Sequence, residues 1–330
     1  MNRNGKIFHN KMVYISNNPI SYCVISTFVI SALLYLFPFI DRSFSHLFYV
    51  HEQGFPAARI DVLRDFRTLA SHLTVALPIL LALAIGLKLL YPAKPSLVSP
   101  RFSLYFIALF SIGPGLMVNG ALKSFWGRPR PVNIEEFGGA WPFQPAWVIG
   151  PEGLLNRSFT SGEAATIACL LPLALFVPRE WRVQVAAILG VLVAAVSLNR
   201  IAFGAHFLSD VTISIGLMLT LAAALYRVIF VDYAETFADA ALEARLTAFG
   251  ELWAGRRAAF RRSIRASLAG AGAAVLALLG AQRAMARRIG ASFIGAEAAR
   301  GMGATVLVLL SSTTGGSSVR RLSQTTPNRS

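Results

Sequence analysis

Arg200, His206 and Asp210 stand together between two long apolar runs that carry almost no other charge. Ionisable groups beside a bilayer core are costly, and where they persist they usually face a partner or a site. With the chain helical from His206 onward, His206 and Asp210 are four residues apart and share one face. A carboxylate so placed accepts a hydrogen bond from one imidazole nitrogen and leaves the other free to react. A lone histidine near a span end is more often an interfacial anchor. The aspartate four residues on and the upstream arginine turn this one toward nucleophilic catalysis.

Two more clusters carry chemistry. Lys123, Arg128 and Arg130 place three cations within eight residues, just beyond an apolar run. Snorkelling to lipid phosphates accounts for one or two such residues. The functional alternative is an anion clamp, with arginine forks on phosphate oxygens and lysine as a point charge. Pro129 and Pro131 stiffen the segment. The other cluster, Ser158 to Ala165, lies at the expected start of a helix, where free N–H groups favour an anion. Ser161 can donate through its hydroxyl and Gly162 permits close backbone approach. A plain capping serine with an acidic first turn explains the same residues. Glu163 is less ordinary, because it stands where an apolar run begins. Burial there would favour its protonated form and make it a proton donor.

The elements that must hold these residues are membrane helices. Of the 330 residues 55% are hydrophobic and 14% charged, whereas soluble chains are about 25% charged. Mean hydropathy is +0.57. Net charge is +15, but many arginines follow Leu242, which points to anionic lipid and positive-inside bias rather than nucleic acid. Cys23 and Cys169 lie in apolar runs, with neither a disulfide framework nor metal spacing. The apolar run after the basic N-terminus lacks a small-residue cleavage site and is expected to be an uncleaved span.

Apolar runs at about 20–40, 71–91, 102–122, 162–177, 182–199 and 208–231 predict an all-α, polytopic bundle of about six transmembrane helices. With the N-terminus inside, Lys94, Arg101, Arg179, Arg182 and everything from Arg227 onward also fall inside. Residues 41–70, 123–161 and 200–207 then face outward, the first as an amphipathic interfacial helix. The loop 132–159 reads as a lid or a plain interfacial loop. Two regions are expected: a membrane domain over 1–231 and a tail over 232–330. The tail should hold a basic amphipathic surface helix over 233–265, then disordered or surface-associated low-complexity sequence over 266–330.

The pattern Lys123-x6-Arg130-Pro131, Thr160-Ser161-Gly162-Glu163, Asn199-Arg200-x5-His206-x3-Asp210 resembles the three-part signature of the type 2 phosphatidic acid phosphatase superfamily. That signature reads Lys-x6-Arg-Pro, Pro-Ser-Gly-His, Ser-Arg-x5-His-x3-Asp. The resemblance covers roughly 70–215. It implies a metal-independent phosphatase with no cofactor, whose His206 attacks phosphorus to form a phosphohistidine while Asp210 orients and stabilises it. Lys123, Arg130, Arg200, Ser161 and Gly162 would hold the phosphoryl oxygens, as phosphoryl transfer requires. Thr160, Asn199 and Glu163 depart from the signature. Glu163 stands where the superfamily has the histidine that protonates the leaving group. Either Glu163 takes that role, or the leaving group needs no proton, or the site is impaired.

The resulting expectation is a bacterial inner-membrane enzyme whose site faces the periplasm. Its substrate would be a phospholipid or glycolipid phosphate: lipid A first, then undecaprenyl pyrophosphate, then phosphatidylglycerol phosphate. A lipid phosphotransferase sharing the intermediate is the alternative enzyme. A non-catalytic lipid-phosphate binding or transport protein is the alternative class. Phosphate release in chelator-containing detergent separates enzyme from binder.

Overall fold

A computed structural model describes residues 18–150 and 156–311, with side chains as far as Ser292. The basic N-terminal residues used for orientation lie outside the described residues. The elements are α1 (Pro19–Leu36), α2 (Phe39–His46), α3 (Asp61–Leu90), α4 (Pro100–Phe125), α5 (Gly162–Ala168), α6 (Arg182–Ala202), α7 (Leu208–Arg227) and α8 (Asp239–Ser311). Among the described residues there is no strand, only two isolated bridges, Val50 with Gly54 and Ile134 with Trp141. Six helices are long and apolar enough to cross a membrane. The chain is therefore a multi-pass, all-α membrane protein, as its hydropathy predicts.

The six are not quite the six expected. The run at 162–177 becomes the seven-residue α5 and a 3-10 turn at Leu171–Leu175, a short apolar segment. The sixth long helix is Asp239–Ser292, within the tail. There the sequence suggests a surface helix over 233–265 and then disordered or surface-associated sequence, whose end at 312–330 lies outside the described residues; α8 runs unbroken to Ser311. Its many Ala, Leu and Arg residues are strong helix formers and carry the isolated glycines along. Residues 41–70 also differ from the single interfacial helix expected. They divide into α2, a 3-10 turn at Pro56–Arg59, and the first turns of α3. Asp61 to Ala70 thus continue a span, and carry Arg67 with them. By contacts the chain divides into two units, Met1–Ala254 and Gly255–Ser330.

In lipid, close packing and hydrogen bonds rather than hydrophobicity hold helices together. In the first unit Tyr105, Phe106, Leu109, Val118 and Met218, each at most 1% exposed, join α4 to α7. Helix α5 meets them with Ala165 and Ala168, which are small enough for a close approach. Within α4 the stretch Ser111–Leu122 widens into a π-helix. Pro114 has no N–H and crowds the carbonyl four residues back, a standard cause of such widening. Asn119 Nδ2 bonds the Pro114 carbonyl across the widened turn at 2.7 Å.

The chain reverses sharply between α6 and α7. Gly204 adopts φ +63°, and its carbonyl accepts from Val132 N–H at 3.0 Å. A Cβ at Gly204 would stand 2.4 Å from the Phe55 ring. Gly204→Ala therefore meets a left-handed backbone penalty of about 1–2 kcal/mol as well as that collision. A lower Tm in detergent is the expected result.

Candidate active site

The C-terminal ends of α4 and α6 and the starts of α3, α5 and α7 converge on one site. His206 lies in the α6–α7 turn, 3% exposed. The helix begins at Leu208 rather than at His206, so the shared-face argument gives the right pair by a different geometry. His206 Nδ1 lies 3.7 Å from Asp210 Oδ2, beyond hydrogen-bond reach, and has no hydrogen-bond partner. Such contacts commonly tighten when substrate binds. Burial pushes the imidazole below its ordinary value, against the upward pull of Asp210. A neutral ring is what a nucleophile needs.

Asp210 is fully buried and saturated with donors. Arg128 Nη1 donates to Oδ1 at 2.6 Å, while Ser158 Oγ at 2.6 Å and Phe207 N–H at 2.9 Å donate to Oδ2. Arg128 is itself 0% exposed. Its remaining donors reach Ser209 Oγ at 2.7 Å, Asp41 Oδ2 at 2.8 Å and the Gln144 carbonyl at 2.9 Å. Its guanidinium carbon stands 4.5 Å from the centre of the Phe207 ring. Asp41, on α2, also accepts from the Ser209 N–H at 2.8 Å. One buried cation therefore fixes α2, the loop before α5 and the first turn of α7 around the His206–Asp210 pair.

The cations of the first cluster thus part company. Arg128 is structural, whereas Arg130 is exposed and its guanidinium forms no hydrogen bond or ion pair among the described residues. Lys123 is similarly unpaired, and a Cβ on Gly162 would lie 3.1 Å from its Nζ and 3.2 Å from Asn119 Oδ1. Only glycine at 162 leaves this space to the lysine. Arg130, Glu163, Arg200 and Arg157 are the charges acting on the Lys123 ammonium, and Lys123 and Arg200 both act on His206. Ser161 caps α5, accepting from Ala164 N–H at 3.3 Å, and its own N–H donates to the Asp210 carbonyl at 3.2 Å. The structure brings together all eight residues that the sequence singles out. A cavity of about 210 Å³ abuts Lys123, Gly162 and Glu163 and runs on to Thr74, Val75 and Val196.

Glu163 corrects one expectation. Its carboxylate takes a fork from Arg67, with Nε at 3.0 Å and 3.1 Å from the two oxygens and Nη2 at 2.7 Å from Oε1. Arg200 Nε stands 3.4 Å from Oε2. Two guanidinium groups hold the carboxylate ionised, so burial does not keep it protonated as expected. Asn199, another departure from the signature, donates to the Leu63 carbonyl at 3.1 Å and ties α6 to α3. Thr160 Oγ1 is buried without a partner.

Sequence reasoning missed Arg67 and Asp41 and gave Arg128 no separate role. A usable signal existed for the last, because Arg128-Pro129 and Arg130-Pro131 are tandem copies. An acid within the apolar stretch around Asp41 also calls for a buried cation. Among the described residues, no three His, Cys, Asp or Glu side chains are placed to hold a metal ion.

Residues 104–233 match the PAP2 superfamily. The chain is 36% identical over 199 residues to the lipid A 4'-phosphatase of Rhizobium leguminosarum, spanning 55% of this chain and 84% of that one. It is 34% identical over 202 residues to the lipid A 4'-phosphatase of Rhizobium etli, spanning 55% and 76%. A third lipid A 4'-phosphatase, from Francisella tularensis subsp. novicida, is 40% identical over 115 residues, spanning 34% and 51%. The chain belongs to the PAP2 superfamily, and is a membrane phosphatase by that membership.

Removing one partner of a buried ion pair costs about 3–5 kcal/mol. Asp41→Ala strips Arg128 and the Ser209 amide of their acceptor, so unfolding in detergent should occur at a markedly lower temperature. Asp41→Asn keeps the acceptor for Ser209 and should lose less. Equal stability of all three proteins would contradict the role given to this pair.

Proposed function

We propose that the protein hydrolyses a phosphomonoester of a lipid A-type glycolipid, without a metal, through a phosphohistidine at His206. The observation that carries this is a buried imidazole beside Asp210, with the cations Lys123 and Arg200 acting on it. The substrate class is supported by the relatives, each a lipid A 4'-phosphatase. Undecaprenyl pyrophosphate and phosphatidylglycerol phosphate are the next candidates.

In this mechanism Lys123, Arg130 and Arg200 bind the phosphoryl oxygens, with Ser161 and Gly162 at the edge of the cradle. Charge spread over those oxygens in the transition state is stabilised by fixed cations. The free His206 ring nitrogen attacks phosphorus as the bond to the lipid oxygen breaks. Asp210 stabilises the imidazolium that results. Water then attacks phosphorus, the N–P bond breaks, and inorganic phosphate leaves.

We place the site on the periplasmic side of a bacterial inner membrane. Support comes from the opposite helix ends, where Lys88, Lys94, Arg101, Arg182 and Arg227 gather. Cytoplasmic loops carry such an excess. Lys88 there pairs with Glu243 at 2.6 Å.

The test is phosphate release from purified lipid A in detergent containing a chelator, with the product followed by mass spectrometry. Wild type should remove one phosphate, and His206→Ala should lower the rate by about 10⁴-fold or more. Inactivity of wild type on every envelope lipid phosphate would favour a binding protein, and inhibition by the chelator would contradict the metal-free route. Because His206 attacks as the neutral ring and titrates below its ordinary value of 6.5, kcat/KM should hold as pH falls through 6.5 and drop only lower. An acid limb above 6.5 would be inconsistent with the burial described.

A further inference from the structure

The Arg67–Glu163 pair has no part in the steps above, yet Glu163 stands at the position of the proton donor in the superfamily signature and lines the cavity beside Lys123. Its geometry is that of a bound anion. The Glu163 carboxylate sits in the Arg67 fork at 2.7–3.1 Å and faces Arg200 at 3.4 Å. Arg200 is 8% exposed in its side chain, and its buried Nε has no hydrogen-bond partner. Arg200 and the carboxylate form an ion pair without a hydrogen bond at Nε. The charges around Glu163 are Arg67 from α3, Lys123 from α4, Arg200 from α6 and His206 from the α6–α7 turn. A carboxylate here rests in the place a phosphate would take.

We propose that Arg67 is a positioning residue that parks Glu163 as a carboxylate before substrate binds, and that an arriving phosphomonoester releases it to act as the acid. This rests on the phosphatase function proposed above. Phosphoryl oxygens take Arg200, Lys123 and Arg130, so Glu163 exchanges a cation for an anion as its close neighbour. Two anions side by side in a partly buried site do not both stay charged. The ester enters as a monoanion and its proton passes to Glu163. As the His206 nitrogen bonds to phosphorus and the P–O bond to the lipid breaks, the Glu163 proton goes to the departing oxygen and the lipid leaves as an alcohol. In the second half Glu163 takes a proton from the attacking water as the N–P bond breaks. Product phosphate carries that proton away, and the carboxylate returns to Arg67. No proton is created or lost.

The arrangement also accounts for Arg67 itself. A protonated histidine at 163, as in the superfamily signature, would be repelled by a guanidinium at this place, whereas a carboxylate requires one. The two residues act as a unit. Arg67 is 44% exposed in its side chain, so it is free to turn toward water when Glu163 leaves.

The experiment compares wild type, Arg67→Ala, Arg67→Lys and Glu163→Gln on two substrates in detergent. Dodecyl phosphate has an alkoxide leaving group that needs a proton. p-Nitrophenyl phosphate has one that departs without it. General acid catalysis contributes about 10²–10⁴-fold. Glu163→Gln should therefore lose about 100-fold more kcat on the alkyl ester than on the aryl ester, and lose the alkaline limb of the alkyl kcat profile. Arg67→Ala removes the competing cation, so Glu163 holds its proton to higher pH and the alkaline limb of kcat moves up. Arg67→Lys should bring that limb back toward wild type, which a merely structural role would not do. Equal losses on both esters in Glu163→Gln, or an unmoved limb in Arg67→Ala, would overturn the switch while leaving the phosphatase intact. Wild type inactive on both esters, or His206→Ala as active as wild type, would instead overturn the phosphatase function on which the switch depends.

Discussion

One buried guanidinium holds the site together. Arg128 has no contact with solvent and spends its donors on Asp41, Asp210, Ser209 and the Gln144 carbonyl. A charge in such a place is tolerated only when its partners are close and fully hydrogen-bonded. That demand fixes where α2, the Gln144 loop and the start of α7 must sit. It also decides the character of Asp210. With Arg128 and Ser158 already on its oxygens, Asp210 offers His206 an electrostatic neighbour at 3.7 Å more than a hydrogen bond.

The site has two electrostatic compartments. Behind His206, Arg128 balances two carboxylates in a dry network. In front, Lys123, Arg200 and Arg67 surround the Glu163 carboxylate, and Arg130 acts on Lys123 and Arg200. The rear set is closed and rigid, as satisfied buried networks are. The front set carries excess positive charge and open donors, the condition under which an incoming anion is welcomed. Glu163 lies between protein and substrate in this sense, since it belongs to the front set but has the charge of the ligand.

Local spacing made much of this legible in sequence. Lys123, Arg130, Ser161, Gly162, Arg200, His206 and Asp210 were visible because each stands in a short, ordered pattern beside an apolar run. Arg67 and Asp41 were not, because their partners Glu163 and Arg128 lie far along the chain and pairing at such separation leaves no periodic trace. Arg67 was hidden further by its setting. The mixed charges from Arg59 to Arg67 look interfacial, yet α3 absorbs the last of them into a 30-residue helix. The spans were legible from hydropathy alone, save for the short α5 segment. Helix α8 extends past the surface helix expected at 233–265 because the alanines around its glycines are strong helix formers. The ionisation of Glu163 depended on two guanidinium groups from other helices, which burial at a span end does not foretell.

The π-helical stretch of α4 has a consequence for the phase of the whole helix. Each residue turns an α-helix by about 100°, so a widened turn resets the direction in which everything after it faces. Lys123 follows Ser111–Leu122 directly, and it is after that reset that its ammonium meets the bare edge of Gly162. Straightening the stretch to regular α geometry would swing the lysine around the helix without altering any residue of the signature. That charge is aimed by a misfit turn a few residues below it. Insertions and deletions in Ser111–Leu122 should therefore be far less tolerated than substitutions of similar size.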